Sequence, residues 1–266
     1  MNPSSKPSRV LFISSEMLGW SEYATQLEAA LSAHEGINCT VLRLEPSKLL
    51  RLISRRHARV GSVDVLRRVD PIAAYQSVFG REIRRMILAE EPDVVHVAAH
   101  WPAGAMLSLP HPRPPFSLSL DATRAMPLQP GRSHNWRKAE ITREAALVQA
   151  AHHVFPMSST VRQSLVEDLG VAEDRITVLP PSVPDIVWPP AAHPANTPAQ
   201  IVFVGNDLER KGAYRLAEWV SGPLAGLCHL HIYSGENGAS FSQQNVTFHG
   251  RVPHDELLTD ILPSMD

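Results

Sequence analysis

The residues best suited to chemistry lie in a turn of the C-terminal quarter, where Arg210 and Lys211 precede Gly212. The apolar residues 201–204 predict a buried strand before this turn, ended by Gly205. The pattern after Gly212 predicts a helix. Backbone N–H groups at a helix N-terminus, beside two cations, favour an anion such as a phosphate. An ordinary strand–turn–helix unit with solvated cations has the same pattern, so this stretch alone leaves both interpretations open.

Short apolar runs alternate with amphipathic helical patterns along most of the chain. We predict strands at 10–13, 39–44, 93–97, 116–120, 153–156, 175–179, 201–204, 228–233 and 246–248. We predict helices at 21–34, 71–91, 101–109, 136–151, 158–170, 213–220 and 255–262. Such alternation is typical of a parallel sheet covered by helices on both faces. The predicted fold class is therefore α/β, with ligands at the carboxyl ends of the strands.

Prolines recur between residues 180 and 198, where the alternation of strands and helices is interrupted. A segment so rich in proline is typical of a semi-rigid linker. We therefore predict an N-terminal domain at 1–180, a linker at 181–198 and a smaller C-terminal domain at 199–266. The second domain has few predicted strands and a thin core. Two α/β domains joined in this way predict an enzyme whose site lies in a cleft.

The composition limits the class of protein. Of 266 residues, 44% are hydrophobic and 20% charged, which is typical of a soluble globular protein with a sizeable core. The net charge of −2 gives no reason to expect a nucleic-acid partner. No apolar stretch approaches the length of a membrane span, and the polar residues 1–9 do not resemble a signal peptide. We expect a cytoplasmic protein in which Cys39 and Cys228 are buried reduced thiols.

The segment 49–69 mixes leucine and isoleucine with many arginines. This pattern could form a basic amphipathic surface that attaches peripherally to an anionic membrane through Arg51, Arg55, Arg56 and Arg59. A solvated helix followed by a loop is the alternative, and it is the one that we favour.

Several histidines and glutamates are further candidates for metal-binding or catalytic residues. His96 and His100 lie at the carboxyl end of the predicted strand 93–97, where their spacing does not suit a shared metal, and no metal site is predicted. His100 either lines the cleft or is an ordinary loop histidine. Glu140 and Glu144 are one helical turn apart beside several cations, and surface ion pairs are the better interpretation than two catalytic acids.

Four short motifs occur in order along the chain. They are Ala151-His152-His153-Val154-Phe155-Pro156-Met157-Ser158, the stretch 175–183, Phe203-Val204-Gly205 with Arg210-Lys211-Gly212, and Phe248-His249-Gly250-Arg251-Val252 with the helix pattern after it. Each is weak alone. Together they resemble the family 4 glycosyltransferases, in which the third motif is the strand, loop and helix that open the C-terminal domain.

The resemblance implies the GT-B fold, in which two Rossmann-like domains face each other across a cleft. It implies transfer of a sugar from a UDP- or GDP-linked donor to a glycan or lipid-linked acceptor, with retained anomeric configuration. No metal or other cofactor is implied, since the nucleoside diphosphate sugar is a substrate. The domain 199–266 would hold the donor and the domain 1–180 the acceptor.

The same resemblance assigns residues to the donor. Lys211 would bind the diphosphate, and Gly205 would let the donor approach the backbone closely. Gly250, Arg251 and Val252 would border the nucleotide base.

Two positions depart from the family pattern. Asn206 stands where many members have an arginine, and Arg210 is expected to supply that cation from the other side of the turn. Asp121 stands where many members have a histidine facing the cleft. We expect Asp121 to be catalytic or to position the sugar, with a loop cap as the alternative, and His100 is the second catalytic candidate.

The chain stops before the strand and glutamate pair that grip the donor in this family. The resemblance therefore implies an incomplete second domain and puts transferase activity by this chain alone in question. The alternative function is a truncated, non-catalytic relative that serves as a partner or regulatory subunit, or a remnant of a split gene. A same-fold epimerase or phosphorylase is a weaker hypothesis, since nothing resembles a lysine pocket for pyridoxal phosphate.

Overall fold

The architecture was analysed in a computed structural model, which describes residues 6–16, 19–50, 59–60, 63–64, 70–126, 134–182, 198–209 and 211–265. The chain divides into two compact units, Met1–Val183 and Pro184–Asp266. Most of the predicted linker 181–198 lies outside the described residues.

The first unit is built on a five-stranded sheet in the order β2-β1-β5-β6-β7, in which every pair of neighbours is parallel. The strands are β1 (Ser8–Ser15), β2 (Ile37–Leu44), β5 (Val94–Ala98), β6 (Phe116–Leu120) and β7 (His153–Pro156). Two short strands, β3 (Arg59–Val60) and β4 (Val63–Asp64), pair antiparallel outside this sheet. The predicted strand positions of the main sheet are confirmed.

Five helices of this unit have both ends among the described residues. They are α1 (Trp20–Ser32), α2 (Pro71–Glu90), α3 (His100–Leu107), α4 (His134–Ala150) and α5 (Ser159–Glu167). Local sequence explains their starts: the Asp70 side chain accepts from the amide of Ile72 at 2.9 Å, and Ser158 accepts from Val161 at 3.3 Å. Both are N-cap contacts that satisfy amides with no partner inside the helix.

Alternation along β1 shows why this sheet is buried on both faces. Leu11 and Ile13 pack into the main core, whereas Phe12 packs into a second cluster with Trp20 and Tyr23 of α1. Successive side chains of a strand point to opposite faces, so an unbroken apolar run requires a layer of helices on each side.

The second unit has a three-stranded parallel sheet in the order β10-β9-β8. Its strands are β8 (Ala199–Val204), β9 (Cys228–Tyr233) and β10 (Val246–Gly250), and helix α6 (Ala213–Ser221) follows β8. The core joins α6 to one face of the sheet through Ala213, Ala217, Val220, Leu230 and Ile232. Helix α7 (His254–Glu256) continues as a wider turn over Leu257–Ile261 and a tighter one over Leu262–Ser264.

The predicted strand at 175–179 and the predicted burial of the two cysteines differ from the structure. The strand predicted at 175–179 is reduced to one bridge, from Ile176 to Val154, next to the proline pair that follows it. Cys39 and Cys228 are free thiols, as expected, but they are half-buried rather than buried.

The basic segment 49–69 lies largely outside the described residues, and so do Arg51, Arg55 and Arg56. Its described residues 49–50 are helical, in agreement with the start of the predicted helix. The β3–β4 pair, which includes the backbone of Arg59, lies where we expected a loop. Leu50 is buried in the main core. Over the described ranges, no helix is both long enough and apolar enough to cross a bilayer.

Candidate functional site

Three loops of the second unit meet at the carboxyl ends of its strands. The amide of Gly205, after β8, donates to the carbonyl of Tyr233 at 3.0 Å. The amide of Ser234, after β9, donates to the carbonyl of Gly250 at 2.9 Å. The residues predicted to hold the donor therefore share one edge of a parallel sheet, the edge at which ligands bind in open α/β sheets.

Lys211 folds back over Gly205. A Cβ at position 205 would lie 2.5 Å from the Lys211 Nζ and 3.0 Å from its Cδ. The φ of Gly205 is 149°, a backbone conformation that residues other than glycine rarely adopt. Gly205 is therefore required twice, once by its backbone and once by the path of the lysine, which brings a cation to the end of β8.

The turn between Gly205 and α6 is closed by backbone hydrogen bonds. The amide of Lys211 donates to the carbonyl of Asp207 at 3.0 Å, and the amide of Ala213 donates to Leu208 at 2.8 Å. Asp207 and Gly212 have φ values of 63° and 84°, both left-handed. The first turn of α6 therefore starts directly beside Lys211, a favourable place for an anion.

Two side chains tie this turn to the loop after β9. Asn206 Oδ1 accepts from the amide of Gly235 at 2.8 Å. In return, Glu236 accepts from the amides of Asp207 and Leu208 at 2.7 and 3.4 Å. The sequence Ser234-Gly235-Glu236-Asn237-Gly238 predicts only a turn, and it gives no sign of this contact, which links residues 29 positions apart.

The loop after β10 carries the remaining predicted donor residues. Gly250 ends the strand with a φ of 80°. Arg251 follows, and its Cδ lies 3.9 Å from where a Cβ of Gly235 would stand, so the arginine passes close to the loop after β9. Val252 is half-buried in the same loop. Arg210, the other predicted cation, lies outside the described residues.

The first unit has its own cluster at the carboxyl ends of β5 and β6, which are neighbours in the sheet. Ala99, directly after β5, has a φ of 73° and a ψ of 154°, and its amide donates to the carbonyl of Ser119 at 3.0 Å. A strained, non-glycine backbone of this kind is found disproportionately at functional sites. His100 is the next residue, and Asp121 directly follows β6.

His100 is not a loop residue but the first residue of α3, and it is only 7% exposed. Its Nε2 accepts from the Arg124 guanidinium at 2.8 Å, and its Nδ1 lies 3.6 Å from the Glu144 carboxylate. The Arg124 guanidinium also lies over the Trp101 ring, 5.9 Å from its centre. His100 is thus part of a buried charged cluster.

The prediction of a surface ion pair is wrong for Glu144, because its side chain is fully buried. Glu144 Oε2 accepts from the backbone amide of Arg124 at 2.5 Å, which fixes the loop after β6 onto α4. Arg143 does take part in a surface pair, with Asp70 at 2.8 Å. Helical spacing could not separate the two cases, since neighbouring positions on a helix can face the core or the solvent.

Asp121 is exposed when the whole residue is considered, but its carboxyl group is surrounded by enough of the protein for burial to affect its pKa. Burial raises the pKa of this carboxyl, while hydrogen bonds from its own backbone amide and that of Ala122, and the charge of Arg124, act to lower it. A carboxyl with a raised pKa at the end of a parallel strand is suited to exchange a proton with a ligand.

The structure therefore brings the predicted residues together in two groups, each within one unit. Gly205, Asn206, Lys211, Gly250 and Arg251 gather in the second unit, and His100 and Asp121 follow adjacent strands in the first. Among the described residues there is no group of three or more histidine, cysteine or acidic side chains placed to hold a metal ion.

Comparison with known proteins agrees with this architecture. Among solved structures, the chain is similar to the sucrose-phosphate synthase of Thermosynechococcus elongatus, with a TM-score of 0.66 and 15% identity over 94% of this chain and 72% of that one. It is similar to a lipopolysaccharide outer core galactosyltransferase, with a TM-score of 0.57 and 14% identity over 95% and 71%. A UDP-GlcNAc 2-epimerase from Neisseria meningitidis, bound to UDP-GlcNAc, gives 0.54 and 12% over 94% and 73%.

These likenesses confirm the predicted GT-B-like fold of two parallel-sheet units, the second the smaller. No curated protein matches the chain in sequence. The profile of Glycosyltransferase Family 4 matches residues 19–185 of the 266, which is more than half of the chain. This chain therefore belongs to Glycosyltransferase Family 4.

Proposed function

We propose that this protein moves a sugar from a UDP- or GDP-linked donor to a glycan or lipid-linked acceptor, with retention of anomeric configuration. The observation that carries the proposal is the placing of the Lys211 ammonium over Gly205, at the carboxyl edge of the second sheet and beside the first turn of α6. Family membership and fold support sugar transfer in general.

Departure of the nucleotide leaves negative charge on its diphosphate. A cation already held in place stabilises that charge without reorganisation when the bond breaks. Lys211 is held by the turn that closes on Asp207, and the first amides of α6 add a favourable dipole. We assign the diphosphate to this point, and we propose Arg210, the neighbour of Lys211 in sequence, as its second cation.

The base and ribose are assigned to the loop after β10. Gly250 leaves that loop without a side chain where β10 ends, and Arg251 and Val252 offer a cation and an apolar surface. Arg251 also passes beside Gly235, close to Asn206. Asn206 itself accepts a backbone amide, so its part in the donor site is to hold the loop rather than to supply the missing cation.

The acceptor is assigned to the first unit. Asp121 accepts a hydrogen bond, and finally the proton, from the acceptor hydroxyl. This hydroxyl forms the new glycosidic bond on the same face of the sugar from which the diphosphate leaves, so the anomeric configuration is retained. His100 acts one step away, because its Nε2 is occupied by Arg124, which lies three residues after Asp121. We place the reaction in the cytoplasm, with membrane attachment through Arg51, Arg55, Arg56 and Arg59 when the acceptor is lipid-linked.

Calorimetric titration of UDP and GDP tests the donor site. We expect one of the two to bind the wild type, and Lys211→Ala to weaken binding more than about tenfold, because a charge-assisted contact is lost. Arg215→Ala is the matched control, since Arg215 is exposed on α6 in the same unit. Binding of neither nucleotide by the wild type, or equal binding by Lys211→Ala, would contradict the assignment.

The same material separates transfer from binding alone. Tight nucleotide binding without release of sugar from the corresponding donor would favour the non-catalytic partner.

A further inference from the structure

Glu236 is an acidic side chain placed, unexpectedly, against a predicted anion site. Its Oε1 accepts from the amide of Asp207 at 2.7 Å, and its Oε2 lies 3.4 Å from the amide of Leu208. A carboxylate is a strong acceptor for backbone amides, and two adjacent amides fix its orientation. These two amides therefore point at the loop after β9 and not at a ligand.

The contact is one half of an exchange. Asn206, from the turn after β8, accepts from the Gly235 amide at 2.8 Å, and Glu236 returns the contact. The Glu236 amide in turn donates to Ser234 Oγ at 3.2 Å, so the acidic residue is held at its own base. These hydrogen bonds join the two loops in both directions.

This exchange leads directly to Lys211. Glu236 holds the amide of Asp207, a residue in the left-handed conformation with a φ of 63°. The carbonyl of Asp207 accepts the amide of Lys211 at 3.0 Å. Leu208, the second contact of Glu236, is 1% exposed and anchors the turn in the core. The orientation of the Asp207 backbone therefore sets the point from which the lysine side chain runs back over Gly205.

We propose that Glu236 is a positioning residue of the donor site: it clamps the turn 206–208 so that Lys211 stays over Gly205, where it meets the diphosphate. The inference rests on the proposed function. The donor does not bind the amides of Asp207 and Leu208, because both donate to Glu236.

The negative charge of Glu236 allows two possible roles of this residue to be distinguished by nucleotide binding. If Glu236 acted only as a negative charge near an anion, its removal would tighten nucleotide binding. If it acts as a clamp, its removal weakens binding, and glutamine restores most of it, because glutamine keeps an oxygen for the Asp207 amide. The two roles predict opposite signs for the alanine variant.

The experiment compares wild type, Glu236→Ala, Glu236→Gln and Glu218→Ala, the last a matched acidic residue exposed on α6. UDP and GDP are titrated by calorimetry, and amide hydrogen exchange is followed at Asp207 and Leu208. We expect Glu236→Ala to raise the Kd about tenfold and to speed exchange at both amides. Glu236→Gln should stay within about threefold of wild type and Glu218→Ala should match it.

Nucleotide binding by Glu236→Ala as tight as, or tighter than, that of the wild type overturns the proposal, and so does unchanged exchange at the two amides. Failure of the proposed function looks different. In that case the wild type binds neither nucleotide, and the exchange rates alone decide whether the clamp exists. If the alanine variant does not fold, Asn206→Ala tests the clamp from its other side, with Asn206→Asp as the rescue that keeps the acceptor oxygen.

Discussion

Lys211 and Gly205 form a matched pair: the lysine side chain occupies the space that a Cβ at position 205 would need, with Nζ 2.5 Å and Cδ 3.0 Å from that point. The glycine also holds a φ of 149°. The position of the cation and the absence of a side chain are therefore one feature of the donor site.

Gly205→Ala should weaken nucleotide binding as much as Lys211→Ala does, because the new methyl group displaces the ammonium. It should also lower the free energy of unfolding by about 1–3 kcal/mol through backbone strain. Gly226→Ala is the control, since Gly226 has a φ of 78° with no heavy atom within 4 Å of its would-be Cβ. Calorimetry and urea unfolding measure the two effects. Equal nucleotide binding by Gly205→Ala and the wild type would contradict the pairing.

Asp121 should control the acidic limb of the pH–rate profile. Its pKa is raised by burial, so the deprotonated base is lost at a higher pH than for an ordinary aspartate as the solution is acidified. Asp121→Asn should lower kcat for sugar transfer by about a hundredfold and remove this limb, while the Kd for nucleotide stays unchanged. Steady-state rates from pH 4 to 8, at saturating donor, provide the measurement. A variant that retains the wild-type limb would remove Asp121 from the chemistry.

Truncation of the Glu144 side chain should strongly destabilise the folded protein. It is fully buried and accepts the backbone amide of Arg124, whose guanidinium contacts His100. Glu144→Ala removes the buried carboxylate and leaves the backbone amide of Arg124 without this acceptor. The substitution should lower the free energy of unfolding by about 3–5 kcal/mol. Glu140→Ala, one turn earlier on α4 and half-buried, should cost no more than about 1 kcal/mol. Urea unfolding of both variants measures the two losses of stability. Similar losses would contradict a stabilising role for the buried Glu144 carboxylate.

His96 should make the first unit sensitive to acid. Its ring nitrogens lie 2.8 and 3.0 Å from Ser117 Oγ and Ser119 Oγ, and burial lowers its pKa from 6.5 to about 4. The unfolded chain therefore binds a proton at a higher pH than the folded one. Stability from this group is present above pH 6.5 and is lost as the pH falls towards 4, up to about 3 kcal/mol.

Urea unfolding of the wild type and His96→Gln at pH 7 and pH 4.5 measures this loss, because the carboxylates titrate in both proteins and cancel in the difference. The wild type should lose more stability between the two pH values than the variant. An equal loss in the two proteins would assign the acid sensitivity to other groups.

Local sequence determined much of the architecture. Unbroken apolar runs such as 10–13 require burial on both faces, so parallel strands and covering helices could be predicted from periodicity alone. The helix starts at Asp70 and Ser158 have a local cause, because the capping contacts of these residues reach only two or three residues along the chain. Lys211 and Gly205 could be assigned to one site because only five residues of turn separate them.

Tertiary structure decided what depends on contacts between distant residues. Nothing local distinguishes Glu144 from Glu140, yet Glu144 is fully buried and its carboxylate meets the loop after β6, 20 positions away. Glu236 appears in sequence as part of a glycine-containing turn, and its role arises because parallel pairing of β8 with β9 sets its loop beside Asp207. Periodicity shows which residues are buried or turned. The register of the sheet decides which polar groups meet at its edge, because that register is set by the packing of the whole core.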